Sequence, residues 1–295
     1  MKAEVIRGSI VALVTPFRED GSVDFESLGN LIDFHLANRT DAILVLGTTG
    51  ESSAMSHEED DAVCEYTVKR VAGRVPVIAG SGSNCTQTML EKSLSFEKLG
   101  ADGLLLISPY YNKTNDEGMY LHFKTVADAV NIPCILYNVP GRTGCSISEN
   151  VVRRLASHPN IAGIKEASGN LSYAANIARY LSDDFVMYSG NDDIILPMLS
   201  LGASGVISVL ANVVPAETHD MVMDYLEGDR DKALAAQLKY LDLIHALFCE
   251  VNPIPVKEAL NLMGMQAGSY RLPLTRMAQP NRERLESAMK EVGLL

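Results

Sequence analysis

The chain has 295 residues, 47% hydrophobic and 21% charged, which is enough to bury a large core and a common length for one α/β domain. Its formal net charge of −12 argues against nucleic acid or an anionic membrane as the main partner, because a phosphate backbone needs a basic footprint; a small anion stays within reach of a few local donors. Met1–Arg7 lacks the apolar core of an export signal, and no apolar run nears the ~20 residues of a membrane-spanning helix.

Short apolar runs alternate with amphipathic stretches along the chain. The predicted strands are Ser9–Val14, Ala42–Leu46, Val75–Ala79, Leu104–Ile107, Cys134–Tyr137, Ile161–Lys165, Phe185–Tyr188 and Gly205–Val209, each bounded by Gly, Pro, Asn or Ser as buried parallel strands should be. Between them, Ser56-His57-Glu58-Glu59 is a capping box that opens a helix, and Leu90–Leu99, Tyr120–Val130 and Asn150–Ala156 carry apolar residues at helical spacing. Eight strand-then-helix units predict an α/β fold, a closed (β/α)8 TIM barrel, in preference to an open doubly wound sheet, for which there is no dinucleotide fingerprint. After Pro215 only helical stretches remain, at Glu217–Leu226, Lys232–Phe248, Pro255–Met263 and Asn281–Val292. The expected organisation is therefore a barrel through its eighth strand over 1–214, then the eighth barrel helix and a C-terminal helical extension over 215–295. The cysteines (Cys64, Cys85, Cys134, Cys145 and Cys249) are odd in number and without CxxC spacing, so they read as reduced thiols of a cytoplasmic protein.

In such a barrel, catalytic groups lie at the C-terminal ends of strands and in the loops that follow. Lys165 ends the sixth strand. By period-two alternation it shares a face with Ile161 and Gly163, and enclosure in the barrel mouth would make a neutral amine available to attack a ketone. Taken alone, a strand-end lysine reads rather as one with its head in water; the company it keeps at the mouth reverses the balance in favour of chemistry. Tyr137 closes the neighbouring strand and could move protons, or could be a core tyrosine with a bonded hydroxyl. Thr48 and Tyr111 add hydroxyls, and the Gly47–Ser52 turn offers amides that suit a carboxylate or simply lead into a helix. Arg142 suits a fork for an anionic group, with a solvated loop arginine as the alternative. The six histidines show no HxH or HExxH pairing and no phosphate-binding glycine loop is complete, so neither metal nor nucleotide cofactor is implied.

The stretches Gly47-Thr48-Thr49-Gly50-Glu51, Tyr137-Asn138-Val139-Pro140-Gly141-Arg142-Thr143-Gly144 and Gly163-Ile164-Lys165-Glu166-Ala167-Ser168-Gly169 resemble the motifs of the dihydrodipicolinate synthase and N-acetylneuraminate lyase superfamily, over nearly the whole chain. The resemblance implies Lys165 as Schiff-base lysine, Tyr137 as the proton-transfer tyrosine, Thr48 as its link to Tyr111, and Tyr111 as a residue reaching into a neighbouring subunit's site. It implies Thr49 with its turn amides for the pyruvate carboxylate, and Gly190 and Ile207 as pocket lining. Arg142 implies the dihydrodipicolinate synthase branch, which condenses pyruvate with L-aspartate 4-semialdehyde in lysine and diaminopimelate biosynthesis. A related aldolase for a sugar acid or 4-hydroxy-2-oxoglutarate would not need Arg142; a catalytically silent binding protein would be expected to lose Lys165 or Tyr137. The resemblance further implies at least a homodimer, with a homotetramer expected. It also implies a regulatory cleft lined by Ser52, His57, Asn84 and Tyr110, in which Asp60 and Thr88 depart from the lysine-sensitive pattern. Lysine is therefore expected to inhibit weakly or not at all, with the Asp60 carboxylate as a partial substitute for the glutamate that Thr88 replaces.

Overall fold

A computed structural model describes residues 6–295; the leader-free reading of Met1–Arg7 lies mostly outside the described residues. Eight parallel strands close in sequence order: β1 (Gly8–Ala12), β2 (Ala42–Val45), β3 (Val77–Gly80), β4 (Gly103–Ile107), β5 (Cys134–Asn138), β6 (Ile161–Glu166), β7 (Val186–Ser189) and β8 (Gly205–Ser208). Closure is made by β8 on β1, with Ile10 opposite Ile207. The strands agree with the sequence reading to within two residues at each end. A helix of six residues or more follows each strand: α1 (Phe25–Ala37), α2 (His57–Val71), α3 (Thr86–Leu99), α4 (Asp116–Ala129), α5 (Glu149–Leu155), α6 (Leu171–Ala178), α7 (Ile195–Ser200) and α8 (Pro215–Glu227).

Strand alternation sorts the apolar residues into two cores. Ile10, Leu44, Ile78, Leu105, Ile135, Val186, Tyr188 and Ile207 fill the barrel, while Val11, Ile43, Leu104, Leu136 and Ile164 face the surrounding helices. Ile161 departs from its expected face. The β5–β6 register slips between Cys134 and Ile135, opposite Ile161 and Gly163, so the extra residue Ala162 turns Ile161 out into the helix-facing core. Gly163 stays beneath Lys165 for a stronger reason than size: a Cβ there would lie 2.5 Å from the Val186 carbonyl oxygen.

The capping box at the start of α2 is present, with Ser56 accepting from the Glu59 amide and Glu59 accepting from that of Ser56. Beyond α8 come α9 (Arg230–Lys239), α10 (Leu241–Leu247), α11 (Ile254–Leu262) and α12 (Gln279–Glu291). The single helix expected over Lys232–Phe248 is two, broken at Tyr240. There the chain bends, burying the Tyr240 ring and turning Leu243, Ile244 and Leu247 into the core. No helix among the described residues is long and apolar enough to cross a membrane.

Candidate active site

Lys165 and Tyr137 sit opposite one another at the C-terminal ends of β6 and β5, and Tyr188 flanks Lys165 on the other side. The Lys165 amine stands 4.6 Å from the Tyr137 ring centroid, and the two side chains are 6% and 7% exposed. Neither forms a hydrogen bond to a described residue, so both functional groups are free to engage a ligand. Asp192, in the loop after β7, accepts from the amides of Val209 and Leu210 at 3.0 and 2.9 Å. Burial pushes its carboxyl above the ordinary range, against the pull of Ser208, those two amides and the Lys165 charge.

A cavity of about 360 Å³ opens over this end of the barrel and is lined by Thr48, Tyr137 and Arg142 among others. The turn after β2 forms one wall. Leu46 and Glu51 bracket it with left-handed backbones, φ 60° and 56°, a conformation that bulky residues seldom adopt. The wall behind is equally tight, since a Cβ on Gly80 would lie 2.3 Å from the Leu46 carbonyl oxygen. Within the turn, the amides of Gly50 and Glu51 bond back to Gly47 and Thr48, whereas those of Thr48 and Thr49 have no acceptor among the described residues. Two adjacent free N–H groups make a receptor for a carboxylate. The Thr49 hydroxyl is itself engaged, accepting from the Asn252 side chain at 2.9 Å.

Arg142 lies on a single helical turn, Pro140–Thr143, and not in the irregular loop its glycines suggest. It projects from that turn, donating to the Asn252 carbonyl at 3.2 Å and otherwise exposed. Gly190 donates to the Glu166 carbonyl at 2.7 Å, and Ile207 is packed inside the barrel. Tyr111 does not join the site within one chain: it is 91% exposed, on a left-handed backbone with φ 69°. Among the described residues no cluster of His, Cys, Asp or Glu could hold a metal ion.

The model of the dihydrodipicolinate synthetase family matches residues 5–292. The 4-hydroxy-tetrahydrodipicolinate synthase of Caldicellulosiruptor bescii is 54% identical over 290 residues, covering 98% of either chain. The chain belongs to the dihydrodipicolinate synthetase family. It is a lyase with the activity of a 4-hydroxy-tetrahydrodipicolinate synthase. Two solved family members superpose with TM-scores of 0.96. One is the dihydrodipicolinate synthase of Acinetobacter baumannii complexed with pyruvate, 43% identical with 99% of this chain and 100% of that one covered. The other is that of Cyanidioschyzon merolae with lysine bound, 42% identical with 98% and 99% covered.

In this member of the family the cavity continues past the barrel mouth to Ser52, His57, Thr88, Lys92 and Tyr110. Asn84 is not among its walls; its carbonyl accepts from the Asn112 side chain at 2.9 Å. The expectation for Asp60 needs correction. Its carboxylate is not waiting for a ligand, because the Lys92 amine lies 2.7 Å away and the Ser52 hydroxyl donates to it at 3.0 Å. Lys92 also donates to Ser52 at 3.0 Å, so three side chains close on one another at the end of the cavity. Burial nonetheless holds the Asp60 carboxyl above the ordinary range, and its second oxygen has no partner among the described residues.

Sequence reasoning passed over Asp192, Lys92, Asn252, Glu51 and Lys257. Asp192 carried a usable signal, an acid just beyond the end of β7 and two residues from Gly190. Asn252 and Lys257 carried none, since their partners lie 203 and 206 residues away.

Proposed function

We propose that the chain joins pyruvate to L-aspartate 4-semialdehyde through a Schiff base on Lys165. The observation that carries this reading is the pairing of an enclosed, unbonded amine with the Tyr137 phenol, 4.6 Å from amine to ring centroid, beside the free amides of Thr48 and Thr49. Those amides and Thr49 hold the pyruvate carboxylate, which aims its ketone at Lys165. Amine addition expels water and leaves an iminium, which draws electrons from the adjacent methyl group. Tyr137, linked through Thr48 to Tyr111, relays the protons as that methyl becomes an enamine carbon and attacks the aldehyde. The amino group of the second substrate then adds to the iminium carbon, which releases Lys165 and closes the ring. Arg142 holds the carboxylate of the semialdehyde, while Gly190 and Ile207 line the pocket.

Incubation with pyruvate and borohydride should leave a reduced adduct on the Lys165 peptide, and Lys165→Ala should lose most of the rate. An adduct on another lysine would refute this mechanism.

The exposed Tyr111 supports an assembly of at least two subunits, in which each Tyr111 completes its neighbour's relay; a homotetramer fits the family expectation. Five unpaired cysteines accord with the reducing cytoplasm. We treat 1–214 as the barrel through β8, and 215–295 as the eighth helix with its extension.

A further inference from the structure

The turn that offers the Thr48 and Thr49 amides is strained at both ends and tied from behind by the C-terminal extension. Glu51 turns its side chain away from the cavity into the core, where one oxygen accepts from the Lys257 amine at 2.8 Å and the other has no partner among the described residues. Lys257 is wholly buried on α11. Its remaining donors go to the carbonyls of Thr15 and Ser269 at 3.1 and 2.6 Å, and the Phe17 ring lies beneath it at 4.6 Å. All three of its protons are thereby used, so the ammonium is fixed in direction as well as position. Thr15, held by that ammonium through its carbonyl, donates its hydroxyl to the Gly50 carbonyl at 2.7 Å.

A left-handed backbone at a residue as bulky as glutamate persists only where its surroundings over-determine it. Here the surroundings are the ion pair, the Thr15–Gly50 bond and the Asn252–Thr49 bond. Two of the three originate in the segment that opens α11. A pair meant only to fasten the extension would not need to end on the substrate-facing turn, nor on its strained residue.

We propose that Lys257 is a positioning residue for pyruvate: through Glu51 it holds the turn in the conformation that aims the Thr48 and Thr49 amides at the substrate carboxylate. This rests on the function proposed above, and the test separates the two. Pyruvate half-saturation is measured by borohydride trapping on Lys165, without the second substrate, for the wild type, Glu51→Gln and Glu51→Gln/Lys257→Met. Glutamine keeps the volume and one hydrogen bond but not the charge; the double variant removes the tether without leaving a buried charge unpaired.

The double variant should need roughly tenfold more pyruvate for half-saturation and Glu51→Gln at least threefold more, as expected when a charge-assisted contact is weakened. Turnover at saturating pyruvate and the KM for the semialdehyde should change less than about threefold, a split that general loosening of the fold would not give. Unchanged half-saturation in a folded variant overturns the inference, as does an equal rise in both KM values. Should the double variant not fold, Glu51→Gln decides by the same criteria. If wild-type Lys165 forms no adduct with pyruvate, the function reading fails instead.

Discussion

Lys92→Met is the substitution whose cost can be worked most closely. The Asp60 and Lys92 side chains are 2% and 11% exposed and their charged atoms 2.7 Å apart. At an effective dielectric of about 20, charges at that separation attract by roughly 6 kcal/mol, and the loss of hydration by both ions offsets most of this. The pair as a whole therefore adds little stability, whereas removing one member leaves a buried carboxylate at a cost of about 3–5 kcal/mol. A ceiling applies because Asp60 can escape by taking a proton: at pH 7, protonating an ordinary carboxyl costs about 4 kcal/mol. The expected loss is thus about 3–4 kcal/mol at pH 7. In the variant the folded-state pKa of Asp60 lies well above its unfolded value, so the native state binds the extra proton and gains relative stability as pH falls. The loss should shrink by up to about 1.4 kcal/mol per pH unit, to roughly 1.5 kcal/mol at pH 5. Urea denaturation at pH 5, 6 and 7, at one protein concentration, measures it. Asp60→Asn/Lys92→Met should return to within about 1 kcal/mol of the wild type. A loss below about 1 kcal/mol at pH 7, or one independent of pH, would refute the reasoning. The same pair bears on ligands: with Asp60 already matched, free L-lysine should inhibit the wild type weakly or not at all, and should stabilise Lys92→Met by supplying the missing ammonium.

Arg142→Ala should raise the KM for the semialdehyde by an order of magnitude or more, with that for pyruvate little changed. One charge-assisted contact is worth roughly 1.5–3 kcal/mol, and initial rates with each substrate varied in turn would expose a structural role as equal effects on both. His35 and His122, buried and held neutral, have pKa values drawn by burial down to about 3 and about 4. The unfolded chain takes up protons at both as pH falls below about 6.5, so stability complete above that pH should drop by up to about 3 kcal/mol per pH unit for the two together. Denaturation midpoints between pH 7 and 5 check this, and a flat profile would count against it. Mixing inactive Tyr111→Phe and Lys165→Ala proteins under subunit exchange should restore part of the activity; hybrids that form without recovery would exclude a shared site.

Lys165, Tyr137, Thr48 and Arg142 were legible because barrel geometry alone delivers strand ends to one rim, and a strand end can be read from a short apolar run and its boundary. Ile161 shows the limit of that logic, since period two fails wherever the register slips. Asp60 was legible as an acid on the first turn of α2, but its partner comes from α3, and nothing in either helix's pattern announces the pairing. Tyr111 was assigned to a relay that a single chain does not contain; its exposure accords with that assignment without completing it. The extension read as helices packed on the barrel, with no link to the mouth, because a contact between Thr49 and Asn252 leaves no periodic trace in either segment.

The span between Glu51 and Lys257 also orders events during synthesis. At a sequence separation of 206, and elongation at roughly 5–20 residues per second, about 10–40 s pass before the carboxylate can meet its ammonium. Until then Glu51 has no cation to enter the core with, and of the three contacts that hold the turn only the Thr15–Gly50 bond can form. A nascent chain long enough to display every barrel strand would still lack a finished receptor for substrate, so ribosome-bound fragments ending before α11 should neither capture pyruvate nor be protected by it.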